Sequence, residues 1–303
     1  MPVNYPRHSP AFLKLRVAVR AYATDEPVTI GLSGGADSLA LVAAALVENV
    51  PVTAVVVDHG LQPGSASVAA TAAEQAIQWG ALAEIVTVRV TGSSGMEAAA
   101  RQARYEALAS FRHPIWTAHT MDDQAETYLL GALRGNPTGM LAVSNWDDTP
   151  LVRPLLSVRR TDTRLACDEL GVEPWDDPHN EAMDFRRVAI RQRAIPLLED
   201  INDGPAVPAL ALAASRAALS ADLLDSLANP NATVPELAAM HPAVRSASIA
   251  AKLLDANCSP SHASISAIEQ LITNWKGQGP VAIGGTAGKR VWLKRLGDQL
   301  VVE

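Results

Sequence analysis

The first half of the chain alternates between two hydrophobic periods. Apolar, β-branched runs predict strands near residues 28–32, 52–58, 83–90 and 115–118. Apolar positions at helical spacing predict helices near residues 38–49, 65–79, 96–111 and 121–134. Strands that alternate with helices are typical of a parallel sheet covered on both faces. We therefore predict an α/β fold with a doubly wound parallel sheet.

The pattern changes after Arg153, first to Arg-rich sequence punctuated by proline and then to Ala- and Leu-rich segments. Helical periodicity recurs near 207–228, 236–256 and 261–275. The tail from Val281 to Val302 alternates like a short hairpin with glycine turns. The turn signal at residues 202–205 marks a linker. We predict one domain over 1–200 and a smaller, mainly helical domain with a terminal hairpin over 205–303.

The first predicted strand runs into the loop Ser33-Gly34-Gly35-Ala36-Asp37-Ser38 and then into a helix. Glycines let the backbone approach an anion, and unpaired N–H groups converge there with the positive end of the helix dipole. Ser33 and Ser38 add hydroxyl donors, and Asp37 can hold a Mg²⁺ ion that shields phosphate charge. The loop lacks the Gly-Lys-Ser/Thr ending of the common nucleotide loop. We interpret it as a pyrophosphate loop in preference to an ordinary strand-to-helix turn.

Polar side chains also follow the ends of two other predicted strands. Asp58 and His59 close the second strand, and His119 follows the fourth. Asp123 and Glu126 then lie one turn apart on the next helix, and two close carboxylates bind a metal ion or a cationic amine. Ligands of such sheets lie beyond the carboxyl ends of the strands, so these segments are expected to share one crevice. A satisfied histidine and a solvated acidic first turn are the alternatives.

Two further segments could contribute to the crevice at the carboxyl ends of the strands. Glu97, Arg101 and Arg104 share one helix face, although a solvated face with internal ion pairs explains that spacing equally well. The glycine-marked segment 133–141 is long enough to cover a site.

The charge balance excludes a global basic field that would attract nucleic acid. The 303 residues include 25 Lys and Arg against 32 Asp and Glu, a net charge of -7. An RNA site must therefore be local. The dense basic stretches are Arg153, Arg159, Arg160 and Arg164, then Arg186, Arg187, Arg191 and Arg193, with a second candidate patch at Lys289, Arg290, Lys294 and Arg295. The alternative for the arginines is a solvated face paired with Asp162, Asp168 or Glu169.

Cysteine usage and apolar run lengths bear on the location. Cys167 and Cys258 are too few and too far apart for a disulfide framework or a Cys-rich metal site, which suits a reducing cytosol. The N-terminus has no signal pattern, and no stretch approaches the ~20 consecutive apolar residues of a membrane span. We expect a cytoplasmic protein that does not enter a membrane.

Several motifs occur in a fixed order and together carry a resemblance. They are SGGADS, VDHGL, EAAARQARYEAL, AHTMDDQAETYLLGALRG and RPLL, followed by Trp175 to Asn180, Phe185-Arg186-Arg187, Arg191 and Pro196-Leu197. Over roughly residues 25–200 this order resembles the short form of the tRNA(Ile)-lysidine synthases, members of the PP-loop ATP-pyrophosphatase superfamily with an adenine nucleotide alpha-hydrolase-like fold. His179 and Arg187 depart from the family pattern, which usually has a small hydroxyl residue and an asparagine there.

The resemblance implies a reaction. The family joins free L-lysine to carbon 2 of the wobble cytidine of a tRNA(Ile) with a CAU anticodon, after ATP adenylates the cytidine oxygen. It implies ATP contacts from Ser33, Gly34, Gly35, Ala36, Asp37, Ser38, Asp58 and His59, with Mg²⁺ on Asp37. It also implies catalytic roles for Asp37, Arg104, His119, Asp123 and Glu126, with the two acids recognising lysine. The second domain would contribute to tRNA binding.

Three other readings stay open at this point. A tRNA thiolase of the same superfamily would need cysteines to carry sulfur, and this chain lacks a Cys-x-x-Cys pair. Synthetases that make NAD, GMP or asparagine lack the AHxxDDxxET segment. A noncatalytic nucleotide- or RNA-binding module would not need Asp37, His119, Asp123 and Glu126 together. The sequence leaves the oligomeric state open, a homodimer included.

Overall fold

The computed structural model describes residues 3–60, 64–88, 96–177, 186–284 and 290–303. The helices are α1 Pro10–Arg20, α2 Ala36–Val47, α3 Ser65–Trp79, α4 Met96–Ala109, α5 Met121–Ala132, α6 Arg160–Leu170, α7 Arg186–Ala189, α8 Ile195–Ile201, α9 Val207–Leu227, α10 Val234–Ala239, α11 Pro242–Asp255 and α12 His262–Thr273, with a π-helical turn at Ile190–Ala194. The strands are β1 Val28–Gly31, β2 Val52–Asp58, β3 Leu82–Thr87, β4 Ile115–Trp116, β5 Val143–Trp146, β6 Thr149–Val152, β7 Val281–Gly284, β8 Val291–Leu296 and β9 Gln299–Val302.

The larger sheet has six strands in the order β3-β2-β1-β4-β6-β5. All neighbouring strands pair in parallel except β5, which pairs antiparallel with β6. The chain builds outward from β1 through β2 to β3, and then returns to place β4 on the other side of β1. The α/β prediction is confirmed. The reversal between β1 and β4 opens a crevice at their carboxyl ends, the position where such sheets bind ligands.

Strand β2 shows why both faces of the sheet are covered. Its side chains alternate, so that Ala54 and Val56 pack with α1, α2, α3 and α6 on one face. Val55 points to the opposite face, where it packs with Tyr105 and Leu108 of α4. Helix α2 is buried from Leu39 to Ala45, because α1, α3 and α6 pack around it. This packing fixes the helix that begins at the predicted pyrophosphate loop.

The C-terminal prediction needs two corrections. The helix predicted near 236–256 is two helices, α10 and α11, because Pro242 cannot continue a helix and begins the second one, with His241 as its N-cap. The tail predicted as a hairpin is a three-stranded antiparallel sheet in the order β7-β8-β9. It packs with α10 to α12 in a separate hydrophobic cluster.

The chain divides into two compact units, Met1–Ala217 and Ala218–Glu303, with the division inside α9. The domain boundaries at 200 and 205 stay a prediction. Among the described residues, α9 is the one helix long and apolar enough to cross a membrane by length and composition. It carries Arg216, Asp222 and Asp225, and one such helix is weak evidence for a membrane span.

Candidate active site at the switch point of the sheet

The loop after β1 is shaped as an anion cradle. Gly34 has φ +83°, a conformation that favours glycine, and a Cβ there would lie 3.4 Å from the Cβ of Ala72. The Ser38 hydroxyl accepts the Ser33 N–H at 3.1 Å and donates to the Gly35 carbonyl at 3.0 Å. Gly35 is the N-cap of α2 and has no side chain to cap it. The N–H groups of the first helical turn therefore remain available to an anion.

Asp37 lies in the first turn of α2 and is half-buried rather than exposed on a loop. Its carboxylate accepts a short hydrogen bond from the Thr163 hydroxyl of α6, and Arg160 Nε lies 3.7 Å from Asp37 Oδ2. Burial raises the pKa of Asp37 to about 6; Thr163 and Arg160 oppose that rise, and the charge of Asp123 adds to it. The ionised carboxylate is thus only partly compensated by its protein neighbours.

His119 lies at the end of β4, in the adjacent position of the sheet. Its Nδ1 is 2.9 Å from the Thr117 hydroxyl. Burial lowers the pKa of His119 to about 4; the carboxylate of Asp123 opposes this shift, and Arg153 adds to it. The imidazole is therefore neutral at pH 7.

The two acids of α5 are held in place by different contacts. Asp123 forms a capping box with Thr120, whose N–H and hydroxyl donate to Asp123 Oδ2 at 2.8 and 2.9 Å. Glu126 is fully buried, and its carboxylate accepts a hydrogen bond from Arg191 Nε at 2.8 Å. Thr120 is the N-cap of α5. Asp122, in the first turn, accepts a hydrogen bond from Arg159 Nε at 3.1 Å.

Arg160 joins the loop after β1 to the acids of α5. Its Nη2 donates to Asp123 Oδ1 at 2.7 Å and its Nη1 donates to Glu126 Oε1 at 2.9 Å. Because β1 and β4 are neighbours, the structure brings Asp37, Asp123 and Glu126 to one guanidinium.

Asp58 and His59 lie at the carboxyl end of β2, the strand that neighbours β1 on the side away from β4. Asp58 Oδ1 accepts the Gly60 N–H at 2.9 Å. Both ring nitrogens of His59 are buried without a hydrogen-bond partner among the described residues. Burial lowers the pKa of His59, and the positive charge of Arg104 lowers it further. Arg101 instead lies over the Tyr105 ring, 4.8 Å from its centre. The side chain of Glu97 lies outside the described residues.

Comparison with known proteins decides the family. A profile described as a PP-loop domain matches residues 11–198. A tRNA(Ile)-lysidine synthase of Corynebacterium glutamicum is 47% identical over 99% of this chain and 97% of its own length. One of Corynebacterium diphtheriae is 51% identical over 92% of this chain and 94% of its own. The chain belongs to the tRNA(Ile)-lysidine synthase family. A solved U34-tRNA thiolase of Methanococcus maripaludis, with a TM-score of 0.51 and 17% identity over 69% of this chain and 78% of its own, shares the fold alone.

The cysteines of this lysidine synthase family member do not form a site. Cys167 and Cys258 are both free and buried, and burial raises the pKa of Cys167 to about 12. A thiol with so high a pKa stays protonated at pH 7 and is a poor nucleophile.

Sequence reasoning placed the arginines of this family member on an RNA path, but several are internal partners of acids. Arg159, Arg160 and Arg191 pair with the acids of α5, while Arg164 pairs with Asp176 at 2.5 Å. Arg153 is buried, and its Nη1 donates to the Leu141 carbonyl at 2.7 Å. Two of the three acids expected to pair with these arginines have other roles: Asp162 pairs with Lys14, and Glu169 accepts the Ala11 and Phe12 N–H groups at the start of α1. The third, Asp168, contributes to raising the pKa of Arg164.

Two residues of the second basic patch are also engaged. Lys294 pairs with Glu303, and Arg295 lies over the Trp275 ring and donates to the Leu271 carbonyl. Lys289 and His179 lie outside the described residues. Sequence reasoning missed Thr163 because a hydroxyl that contacts a residue across the fold, here Asp37, has no local signature. It also missed Thr117, although this residue lies only two positions before His119 and its contact is local.

Proposed function

We propose that this protein ligates free L-lysine to carbon 2 of the wobble cytidine of a tRNA(Ile) with a CAU anticodon, with ATP converted to AMP and pyrophosphate. The observation that carries the proposal is the meeting of an anion cradle, at the end of β1, with two carboxylates and a neutral imidazole at the end of β4. A site that binds ATP, a cation and a base needs these three kinds of group side by side. The cytoplasm, which holds these three substrates, is the location that we infer.

The loop after β1 binds the phosphate end of ATP. The first-turn N–H groups of α2 and the hydroxyls of Ser33 and Ser38 donate to pyrophosphate oxygens. The two hydroxyls are hydrogen-bonded to each other at 3.1 Å, so both lie at the same place in the loop. Asp58 and His59, at the end of the neighbouring strand, contact the nucleoside. Arg104, whose positive charge acts on His59, stabilises charge at the α-phosphate.

The chemistry of Asp37 fits a Mg²⁺ ion. Mg²⁺ prefers carboxylate oxygens together with substrate phosphates. Burial is the main cause of the raised pKa of Asp37, so its ionised form is poorly solvated, and a bound cation would stabilise that form. When bound, the ion shields phosphate charge. Within the described part of the chain no group of three metal-ligating side chains exists, so we infer that Asp37 acts with the phosphates of ATP rather than in an all-protein cage.

The acids and the imidazole serve the other two substrates. Asp123 and Glu126 bind the lysine ammonium and hold it near the activated cytidine. The imidazole of His119 has a pKa of about 4 and is uncharged at pH 7, so it orients the base by hydrogen bonding and does not act as a general acid. In the first step the cytidine O2 attacks the α-phosphorus and pyrophosphate leaves. In the second the lysine amine, having lost a proton to solvent, attacks carbon 2, and AMP leaves with the O2 atom.

Three arginines without an acid partner in the described chain form the RNA surface that we propose. Arg134, Arg186 and Arg193 line a groove of about 450 Å³ with Leu130, Leu133 and Leu197. The groove runs along α5 and the segment α7–α8. Arg187 and Arg191 extend from that same segment toward Glu126, so its other face carries the unpaired arginines beside the site. Phosphates of a bound anticodon loop would neutralise them.

The test is AMP release from ATP by the full-length protein. We expect release only when L-lysine and a tRNA(Ile) transcript with a CAU anticodon are both present. A transcript with U in place of the wobble C is the matched control and should be inactive. Asp37→Asn should abolish release while the protein stays folded, because the substitution removes a poorly compensated buried charge. Release without lysine or without tRNA would contradict the proposal.

A further inference from the structure

The guanidinium of Arg160 lies between the phosphate loop and the two acids that we assign to lysine. It donates to Asp123 and Glu126 at 2.7 and 2.9 Å, and its Nε lies 3.7 Å from Asp37. Arg160 is the first residue of α6, and its backbone N–H donates to Asp122 at 2.8 Å. The backbone is therefore anchored, while the side chain spans two elements from neighbouring strands.

The charges around this guanidinium balance. The carboxylates are Asp37, Asp122, Asp123 and Glu126, and the guanidinium groups paired with them are Arg159, Arg160, Arg187 and Arg191. An incoming ammonium would find both α5 acids already paired. A buried charge without a partner is unfavourable, so lysine can enter only if a cation leaves or an anion arrives.

We propose that Arg160 occupies the place of the lysine ammonium in the resting protein and couples lysine binding to ATP binding, an inference that rests on the proposed function. Guanidinium pairs with phosphate as readily as with carboxylate. ATP in the loop after β1 brings phosphate charge beside Asp37 and gives Arg160 a second partner. When the side chain turns to the phosphates, Asp123 and Glu126 become available to lysine. ATP therefore binds first and raises the affinity for lysine.

The acids keep their places when Arg160 leaves. Asp123 retains two hydrogen bonds from Thr120, at 2.8 and 2.9 Å. Glu126 retains the hydrogen bond from Arg191 Nε at 2.8 Å. The lysine site is thus preformed beneath the guanidinium, and Arg160 acts as a positioning residue.

The experiment is calorimetric titration of L-lysine into the full-length protein with MgCl₂, with and without α,β-methylene-ATP. For the unmodified protein we expect the analogue to raise lysine affinity at least about tenfold, and lysine must raise analogue affinity by the same factor. Arg160→Gln should bind lysine without the analogue as tightly as the unmodified protein binds it with the analogue. Arg160→Lys, which holds one acid at a time, should give an intermediate affinity. Arg164→Gln is the matched control, because Arg164 pairs with Asp176 outside this cluster, and it should retain the full coupling.

Two results would overturn the inference. One is equal lysine affinity with and without the analogue in the unmodified protein. The other is loss of lysine binding in Arg160→Gln when the analogue is present, which would mean that the guanidinium itself holds lysine. If circular dichroism shows that Arg160→Gln does not fold, Arg160→Lys serves as the test. A lysine affinity without the analogue that is higher in Arg160→Lys than in the unmodified protein supports the inference, and an equal affinity overturns it. Failure of the proposed function looks different: no variant would bind lysine under any condition.

Discussion

Asp37 and His119 have pKa shifts in opposite directions, and burial is the main cause of both. The pKa of Asp37 rises from 3.8 to about 6, and the pKa of His119 falls from 6.5 to about 4. In each case the fold disfavours the charged form. The site that we propose for charged substrates therefore contains two side chains, Asp37 and His119, that the surrounding protein keeps from ionising easily.

These shifts predict opposing pH dependences of stability. In the unfolded chain His119 takes up a proton near pH 6.5, whereas in the folded protein it does so only near pH 4. Protonation therefore favours the unfolded chain, and His119 lowers the free energy of unfolding as the pH falls from about 6.5 to about 4. Folded Asp37 takes up its proton near pH 6 and the unfolded residue only near pH 3.8, so it raises that free energy over nearly the same window. Each contribution is up to about 3 kcal/mol, and the two nearly cancel.

Urea unfolding at about pH 7 and about pH 4 separates the two residues. Relative to the unmodified protein, His119→Gln should gain stability on acidification and Asp37→Asn should lose it. All other carboxylates are common to the three proteins, so their titration drops out of the comparison. Parallel pH profiles for the three proteins would contradict the assigned shifts.

The acids of α5 predict a selective loss in kinetics. Asp123→Asn should raise the KM for lysine at least about tenfold, because it removes an ionised partner of the ammonium, and should change the KM for ATP by less than about twofold. The matched control is Asp162→Asn, since Asp162 is also a paired acid but pairs with Lys14 outside this cluster. Equal losses for lysine and ATP would remove Asp123 from the lysine site.

At the scale of elements, the segment between α5 and β5 is held close to α5 and α9. Gln124 bonds both backbone groups of Met140, at 2.7 and 2.8 Å. A Cβ on Gly139 would lie 2.1 Å from the Ala214 carbonyl oxygen of α9. The sequence favoured a loop that covers the site. The contacts show a loop whose end is held by two side chains, Gln124 and Arg153, and by one close backbone approach.

This close approach predicts that Gly139→Ala lowers the free energy of unfolding by about 2 kcal/mol, because backbone must move to admit a methyl group. Urea denaturation measures the change. Gly279→Ala is the control, since a Cβ there has open space around it, and it should change stability little. Equal stability of the two variants would mean that the segment yields without cost.

The element boundaries also show where periodicity misleads. Strand β4 has only two residues, and the β5–β6 hairpin had no clear alternating signal. Both belong to the sheet because neighbouring strands supply their hydrogen bonds: β4 pairs with β1 on one side and β6 on the other. Short strands of this kind depend on tertiary partners more than on their own residues.

At the scale of the whole molecule, an acidic protein must bind an acidic polymer. The net charge is -7, and four of the eight arginines between 153 and 193 on which an RNA path was predicted, Arg159, Arg160, Arg187 and Arg191, pair with acids of α5 instead. The groove arginines Arg134, Arg186 and Arg193 remain. A local surface of this size gives weak, salt-sensitive attraction, and specificity must come from contacts within the site.

The groove predicts a specific kinetic signature. Replacing Arg134, Arg186 and Arg193 together by Gln should raise the KM for tRNA at least about tenfold at moderate salt and flatten its salt dependence, while the KM values for ATP and lysine stay nearly constant. Arg7→Gln is the control, because Arg7 is exposed and lies outside the groove. An unchanged KM for tRNA would place the RNA on another surface.

The sequence by itself determined the α/β class, the anion loop and the acids of α5, because each is written in consecutive residues: a strand pattern, two glycines before a helix, or a one-turn spacing. Tertiary structure alone decided what those residues contact. Arg160 and Arg191 reach Glu126 from 34 and 65 positions away, and Thr163 reaches Asp37 from 126. A charged side chain takes the partner that packing brings within reach, and the packing of α6 on α1 and α2, and of α7 and the π-helical turn on α5, has no local signature.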